Sequence, residues 1–426
     1  MTRLLPRDRL LRRSLVLSAL FLCGTGLIFA LRAIFGEAFY TVYTPFARTV
    51  LFVLSWVTSV FPFSVSELVI TLGVTVAPLL LLILFFRAAF SSNSRAGRVL
   101  LRYLALLLCI ATALLFCFYL FWGMSYGAPP LAEQLGLEVR TFSTDELLSV
   151  AERVRDELNE ASASVSRNDD GTLSKLDFRE TAKHAAEAVS SYTGLRAAPA
   201  KGVLNSELMS YATITGIFIP HMAECNVNTR NRTAGLCFTA AHEMMHRWCV
   251  APEDEANFAA FLVLYEHGSS YARYSALFSA WIYLAPQIKR ADSPAYTKLY
   301  YSLTDGVRAD LKQYDTLWNA YRGTVIEQAA SSANNAYLEL QGESDGIKSY
   351  GRMSICSSPT ISPDGLPSVR RKYETFYRDH HCTLTAHALR LCRFSRVLFP
   401  LCLRKRSPLY GYAGQYVFHN RKYRGG

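Results

Sequence analysis

TAAHEMMHRWCVAPEDEANFAAFL, running from Thr239 to Leu262, decides how the rest of this chain is read. It places His242, Glu243 and His246 in the spacing H-E-x-x-H, followed by Glu253, Asp254, Glu255 and Asn257. On a helix, residues four apart stand on one face, one turn apart. His242 and His246 can therefore offer ring nitrogens to one ion. Glu243 projects about 100° round the helix, where a carboxylate can take a proton from a metal-held water. Zn²⁺ in such a site takes three protein ligands and keeps a fourth position for water. Pro252 suits the start of a new helix, which Ala256, Phe258, Ala259, Phe261 and Leu262 continue. Glu253 and Asn257 share a face of that helix. Glu253 is expected as the third ligand, and Asn257 as the group that accepts the proton of a ligand histidine and so orients its ring. Glu255 points about 200° away from Glu253 and is the alternative third ligand. His184, His221 and His267 are expected at the surface. Tyr271, Arg273 and Tyr274 are read as packing residues rather than oxyanion donors.

Outward from this stretch, the chain turns apolar. Of 426 residues, 51% are hydrophobic and 19% charged, which directs attention to membrane spans. Three runs are long enough to cross about 30 Å of hydrocarbon: 15–34, 68–86 and 100–122. Arg3, Arg7, Arg9, Arg12 and Arg13 precede the first run, and Arg87, Arg95, Arg98 and Arg102 lie between the second and third. By the preference of basic residues for the cytoplasmic side, both groups are cytoplasmic and everything after Trp122 is outside. The first run is read as an uncleaved anchor, because no small-x-small cleavage site follows it. The aromatic stretch Tyr40 to Pro62, with Arg48 inside it, is read as interfacial or re-entrant; a fourth span is its rival.

The net charge of +11 is concentrated at one end. Residues 354–426 hold thirteen Lys/Arg against three Asp/Glu, so the remainder is close to neutral. No helix-turn-helix, RNP or zinc-knuckle pattern accompanies the basic tail, and no nucleic-acid partner is expected. Ten cysteines are scattered without a CxxC pair, which argues against a cysteine-built metal site. Cys225 and Cys237 bracket the loop before the motif, as a disulfide or as two free thiols. Beyond Trp122, Ser143 to Glu146 is a capping-box pattern opening a helix with Leu147, Ala151, Val154 and Leu158 on one face. A second helix carries Phe178, Ala182, Ala185, Val189 and Tyr192 and ends at Gly194. Tyr211 to Ile219 is β-branched and alternating, and reads as a strand closed by Pro220. Ser269 to Ala285 reads as an apolar helix, in the core or near the membrane.

The sequence resembles the DUF3810 family of bacterial membrane proteins. The matching blocks occur in order over residues 14–353: FPFSVSELV (Phe61 to Val69), WGMSYGAPPLAEQLGL (Trp122 to Leu137), GIFIPHMAECNVN (Gly216 to Asn228), FTAAHEMMH, EDEANFAAFL, RYSALFSAWIYL and DGIKSYGRM (Asp345 to Met353). The resemblance implies a membrane-anchored, zincin-like metallopeptidase. The gluzincin clan combines H-E-x-x-H with a Glu-x-x-x-Asp/Asn helix, which matches Glu253 and Asn257. The interval from His246 to Glu253 is much shorter than in thermolysin-like enzymes, which leaves Glu253 and Glu255 both open as third ligand.

The expected architecture is an α-helical membrane anchor with three transmembrane helices over residues 1–122, then a mainly α, α+β zincin-like extracytoplasmic domain over 123–353. Residues 354–426 form a basic tail, read as disordered or as sequence in a shifted frame, with no function assigned. The expected function is zinc-dependent peptide-bond hydrolysis with Glu243 as general base, acting on a peptide or protein beside the lipid bilayer. The alternative is a non-catalytic zinc-binding membrane sensor or scaffold. An intramembrane protease is disfavoured, because Arg247, Glu253 and Asp254 crowd the motif and no LDG stretch sits in a span.

Overall fold

Away from its ends, a helix bonds its backbone N–H and C=O groups within itself, which is what a lipid environment demands. The three apolar runs accordingly form helices. A computed structural model of the protein describes residues 8–90, 94–135, 143–174, 176–231 and 233–342. Three of its helices are long and apolar enough to cross a membrane: α1 (Arg9–Phe35), α3 (Val65–Phe90) and α4 (Ser94–Phe121). Each runs a few residues beyond the apolar core that the sequence marks at one or both ends. The protein is thus a multi-pass membrane protein. Asp8 caps α1 by accepting from the Leu10 and Leu11 amides, and pairs with Arg102 of α4 at 2.7 Å. The starts of α1 and α4 therefore lie together at one end of the bundle.

Between the first two spans, α2 (Ala38–Ser59) fills the stretch read as interfacial or re-entrant. It is not among the helices apolar enough to cross. Its buried stripe, Tyr40, Tyr43, Ala47, Leu51, Ser55 and Thr58, follows helical spacing and packs on α4, α1 and the domain beyond.

After α4, a short 3-10 turn (Gly123–Gly127) and α5 (Leu131–Gln134) lead into the domain. The capping box closes as expected, with Ser143 and Glu146 bonding reciprocally at the start of α6 (Thr144–Ala163). Next, α7 (Phe178–Thr193) buries Ala182, Ala185, Val189 and Tyr192 and stops at Gly194, whose φ of 67° is open to glycine without strain. Then come β1 (Lys201–Val203), α8 (Ser206–Tyr211), β2 (Gly216–Ile219) and β3 (Glu224–Asn228). The strand expected over Tyr211 to Ile219 is therefore half correct. Tyr211 ends a helix, and Thr213 takes a φ of 55° that no extended run contains. Only Gly216 onward is extended.

The sheet order is β1-β3-β2, with β1 parallel and β2 antiparallel to the central β3. Beneath it lies α9 (Leu236–Arg247), buried along its whole length. Around α9 pack α7, α10 (Glu253–His267) and α11 (Ser270–Ala291). The stretch expected as an apolar helix in the core or near the membrane is α11; Tyr274, Leu277, Phe278 and Trp281 on it are fully buried. Finally α12 (Ser293–Tyr301), α13 (Asp305–Asn319) and α14 (Val325–Leu340) complete the domain, which is mainly helical with one small mixed sheet. The tail from 354 and the block Asp345 to Met353 lie outside the described residues.

One buried ion pair ties the sheet to the membrane helices. Glu224 at the start of β3 accepts from the Val65 amide (3.1 Å), the Ser66 amide (2.7 Å) and the Ser66 hydroxyl (2.7 Å) at the first turn of α3. Those amides have no partner inside their own helix. Lys201 of β1 pairs with Glu224 at 2.5 Å and donates to the carbonyls of Thr58 (2.7 Å) at the end of α2 and Phe63 (3.0 Å) in the connection to α3. Burial pushes the Glu224 carboxyl upward, but Lys201 and the Ser66 and Val65 donors outweigh it and hold its pKa below the usual 4.5. The stability it contributes is complete above pH 4.5 and lost as pH falls through the lowered value. Removing one partner of a buried pair strands the other charge, at about 3–5 kcal/mol. Glu224→Gln is therefore expected to lower the melting temperature of the detergent-solubilised protein at neutral pH. It should also flatten the decline of stability with acid; an unchanged acid profile would show that Glu224 is not ionised in the fold.

Candidate metal centre

The motif helix is amphipathic in chemistry but not in exposure: all twelve residues of α9 are buried. Its polar residues must therefore find partners within the protein. His242 and His246, one turn apart on α9, meet Glu253 from the first turn of α10. Glu253 Oε2 lies 3.1 Å from His242 Nε2 and 3.4 Å from His246 Nε2. One ligand atom from each of the three residues lies within 4.8 Å of the others, and all three residues are buried. This is a cluster that can coordinate a metal ion. It stands among the described residues as the single such group of three.

The chemistry of the donors fits a divalent cation. His246 Nδ1 and the Val250 carbonyl stand 2.8 Å apart; with the proton on Nδ1, the Nε2 lone pair points into the cluster. Burial pulls the His246 pKa down, but Glu253 overrides it and raises it to about 9. Glu253 is held well below the usual carboxylate range: burial pushes it up, and His246 and His242 outweigh that. His242 is lowered, by burial first and then by His246. A carboxylate wedged between two imidazoles thus neutralises itself with a histidine proton, a charge a cation would supply instead.

Asn257 is fully buried one turn after Glu253. It lies beside His242 and favours its protonated form, while His242 Nδ1 itself makes no hydrogen bond. The Asn257 carbonyl oxygen accepts from the Tyr283 hydroxyl at 3.1 Å. Tyr283, on α11, is a site neighbour that the sequence did not reveal. Glu255 is turned away from the histidines, and its carboxylate accepts from the Leu131 amide at 3.0 Å. The two acids that the sequence left open as third ligand therefore part company, with Glu253 alone in the cluster.

Glu243 faces β2. The amide of Asn228 donates to the Thr215 carbonyl, which sets the antiparallel register so that Ile217 and Ile219 bond to β3. The backbone groups of Gly216 and Phe218 are left on the outer edge, and the Phe218 amide bonds to Glu243. A Cβ on Gly216 would stand 2.5 Å from Glu243 Oε1, so only glycine lets the strand pass this close. Burial raises the Glu243 pKa to about 8. On its other flank the helix is tied to the anchor. The Trp122 indole N–H donates to the His246 carbonyl at 2.8 Å, and Arg48 Nε donates to the Trp248 carbonyl at 2.9 Å.

Other expected residues fall outside the site. Tyr274 is buried and bonds Asp310 at 2.5 Å, as a packing residue does, and Tyr271 meets Thr181, whereas Arg273 is exposed and meets Glu157. Cys225 and Cys237 are free and buried, and the Cys225 thiol donates to the Glu243 carbonyl at 3.2 Å. His184 meets Ser269 in an exposed contact. His221 instead makes a specific contact with α4, its Nε2 lying 2.9 Å from the Leu114 carbonyl.

The family model described as "Protein of unknown function (DUF3810)" matches residues 41–355. This chain belongs to the DUF3810 family. No curated protein and no solved structure matches it. The DUF3810 match spans most of α2, the last two membrane helices and every residue of the cluster.

Metal content separates the two acids directly. Purified protein with His242→Ala or Glu253→Ala is expected to lose bound metal by elemental analysis, while Glu255→Ala keeps it. Retention by Glu253→Ala together with loss by Glu255→Ala would place the third donor elsewhere than the geometry does.

Proposed function

We propose that this protein is a membrane-anchored zinc metallopeptidase with its catalytic domain on the extracytoplasmic side. The observation that carries the reading is the meeting of His242, His246 and Glu253 with Glu243 alongside, under the open edge of β2. Two imidazoles and one carboxylate suit zinc in a site that leaves a position open. Zinc bound there would lower the pKa of a water and polarise the scissile carbonyl. Glu243 then acts as general base and returns the proton to the leaving amine. Its raised pKa suits a group that must both take and give a proton near neutral pH. The outward backbone groups of Gly216 and the Phe218 carbonyl offer an extended peptide a strand to pair with. Asn257, held by the Tyr283 hydroxyl, stands beside His242 on the far side of the cluster, where its amide can accept the Nδ1 proton of a metal-bound His242.

The side of the membrane follows from charge. Arg9, Arg12 and Arg13 open α1, and Arg87, Arg95, Arg98 and Arg102 flank the α3–α4 connection at the same end of the bundle. Assigning that end to the cytoplasm puts Trp122 and the domain outside. We divide the chain into an anchor over 1–122, a catalytic domain over 123–353 and a tail over 354–426 that supplies none of the site's residues.

Glu243→Gln tests the chemistry apart from the binding. The variant should retain zinc, since Glu243 is not a ligand, and should lose peptide hydrolysis by about 10²–10⁴-fold. Zinc retained by the wild-type protein without hydrolysis of any peptide would favour the non-catalytic sensor or scaffold. A reporter fused at Leu135 tests the topology: it should behave as extracytoplasmic, and cytoplasmic behaviour would invert the assignment.

A further inference from the structure

We infer that the substrates are membrane-anchored polypeptides, cut within a few residues of the point where they leave the bilayer. The inference rests on the peptidase reading and names its substrate class. It follows from how low the site sits against the membrane helices.

The edge strand β2 leads into the turn Pro220–Ala223, and that turn is sunk beside the third span. His221 Nε2 reaches the Leu114 carbonyl, and its ring stacks on Phe118. Leu114 lies eight residues before Trp122 on the sequence, so about 12 Å down the helix from its end. Thr58, at the end of α2, donates to the Met222 carbonyl from the other side of the same turn. Glu67, in the first turn of α3, accepts from the Leu204 and Asn205 amides. Leu204 and Leu208 beside it are 86% and 62% exposed, apolar side chains at the level where a span enters the lipid. Trp122, the last residue before the domain, touches both the Phe218 ring (5.6 Å) and the His246 ring (6.0 Å).

Four separate contacts thus put the cluster at the height of the span ends, with β2 pointing down toward the lipid. A strand rises about 3.3 Å per residue. From Gly216 beside Glu243, three residues of β2 span about 10 Å before the sunken turn begins. A peptide paired along this edge has its membrane-side portion at the bilayer surface after about three residues. A chain emerging from a span enters that position without bending. A free soluble peptide must insert one end between the domain and the headgroups.

The test uses the full chain in zinc-loaded liposomes. The probes are single-span polypeptides whose randomised segment begins either directly after the span or about twenty residues beyond it, about 66 Å when extended. The same segment is also supplied as a soluble peptide. Both anchored probes share the gain from confinement to the membrane, so their comparison isolates distance. The near probe should be cut at least tenfold faster than the far probe and the soluble peptide. A photo-reactive residue at Ile217, 43% exposed on the strand, should cross-link the near probe in the Glu243→Gln background. Equal cutting of near and far probes, with cross-linking to both, would overturn the inference and leave the peptidase reading intact. Failure to cut any probe or peptide would overturn the peptidase reading and the inference with it.

Discussion

Glu224 is a buried carboxylate, and almost everything about the site's position depends on how it is satisfied. An ionised group at 2% exposure persists only with partners on all sides. Glu224 takes them from two different parts of the molecule: the ammonium of Lys201 from the parallel neighbour strand, and the free amides that open α3. Lys201 spends its remaining donors on the end of α2 and the connection to α3. The pair therefore serves as a carboxylate at a helix N-terminus and an ammonium at a helix C-terminus, each where the backbone charge favours it. Since β3 is the central strand, fixing its first residue on α3 fixes β1 and β2 as well. Glu243 stands against β2, so its position relative to the membrane helices follows from a salt bridge far along the sheet.

How much of this the sequence could show depends on the range of the interactions. Helices α9 and α10 were legible because the residues of the cluster repeat at helical spacing within twenty residues. Glu253 rather than Glu255 follows from sharing a face with Asn257, although a second acid two positions on kept the choice open. The sheet was nearly illegible. Strand β3 reads Glu-Cys-Asn-Val-Asn and is buried at every position, so the polar residues that alternate with Cys225 and Val227 read as a solvent face although they are not one. Its polar side chains are tied to distant partners: Asn226 to Ser66, and Asn228 to Ser210 and the Ile214 carbonyl. In Tyr211 to Ile219 the β-branched letters were genuine, but the first half is a helix end stabilised by Ser210 and Ser206. The glycine that opens β2 carried a usable signal. A lone glycine in a strand pattern marks close backbone approach, and here it is Glu243 that approaches.

Trp122 illustrates the limit from the other direction. By position it is an aromatic residue at the end of a span, which the membrane interface alone explains. Its indole instead donates to the His246 carbonyl, across 124 residues of sequence. Nothing local in the chain announces that bond.

The motif helix is consequently finished by the membrane anchor. At its end, the His246 carbonyl accepts from the Cys249 amide and from Trp122 just after α4, and the carbonyl of Trp248, the residue after α9, accepts from Arg48 of α2. The chain then turns at Cys249, whose φ of 66° is unusual for a side-chain-bearing residue, and delivers the Val250 carbonyl to His246 Nδ1. One bend thus does three things: it ends α9, fixes which nitrogen of His246 faces the cluster, and starts α10 with Glu253 in reach. Anchor residues hold that bend from outside. The membrane-side helices and the cluster are therefore not separable modules: Trp122 and Arg48 brace the bend from which the Val250 carbonyl reaches the His246 ring. A cluster built this way keeps its place only while the membrane-side helices keep theirs.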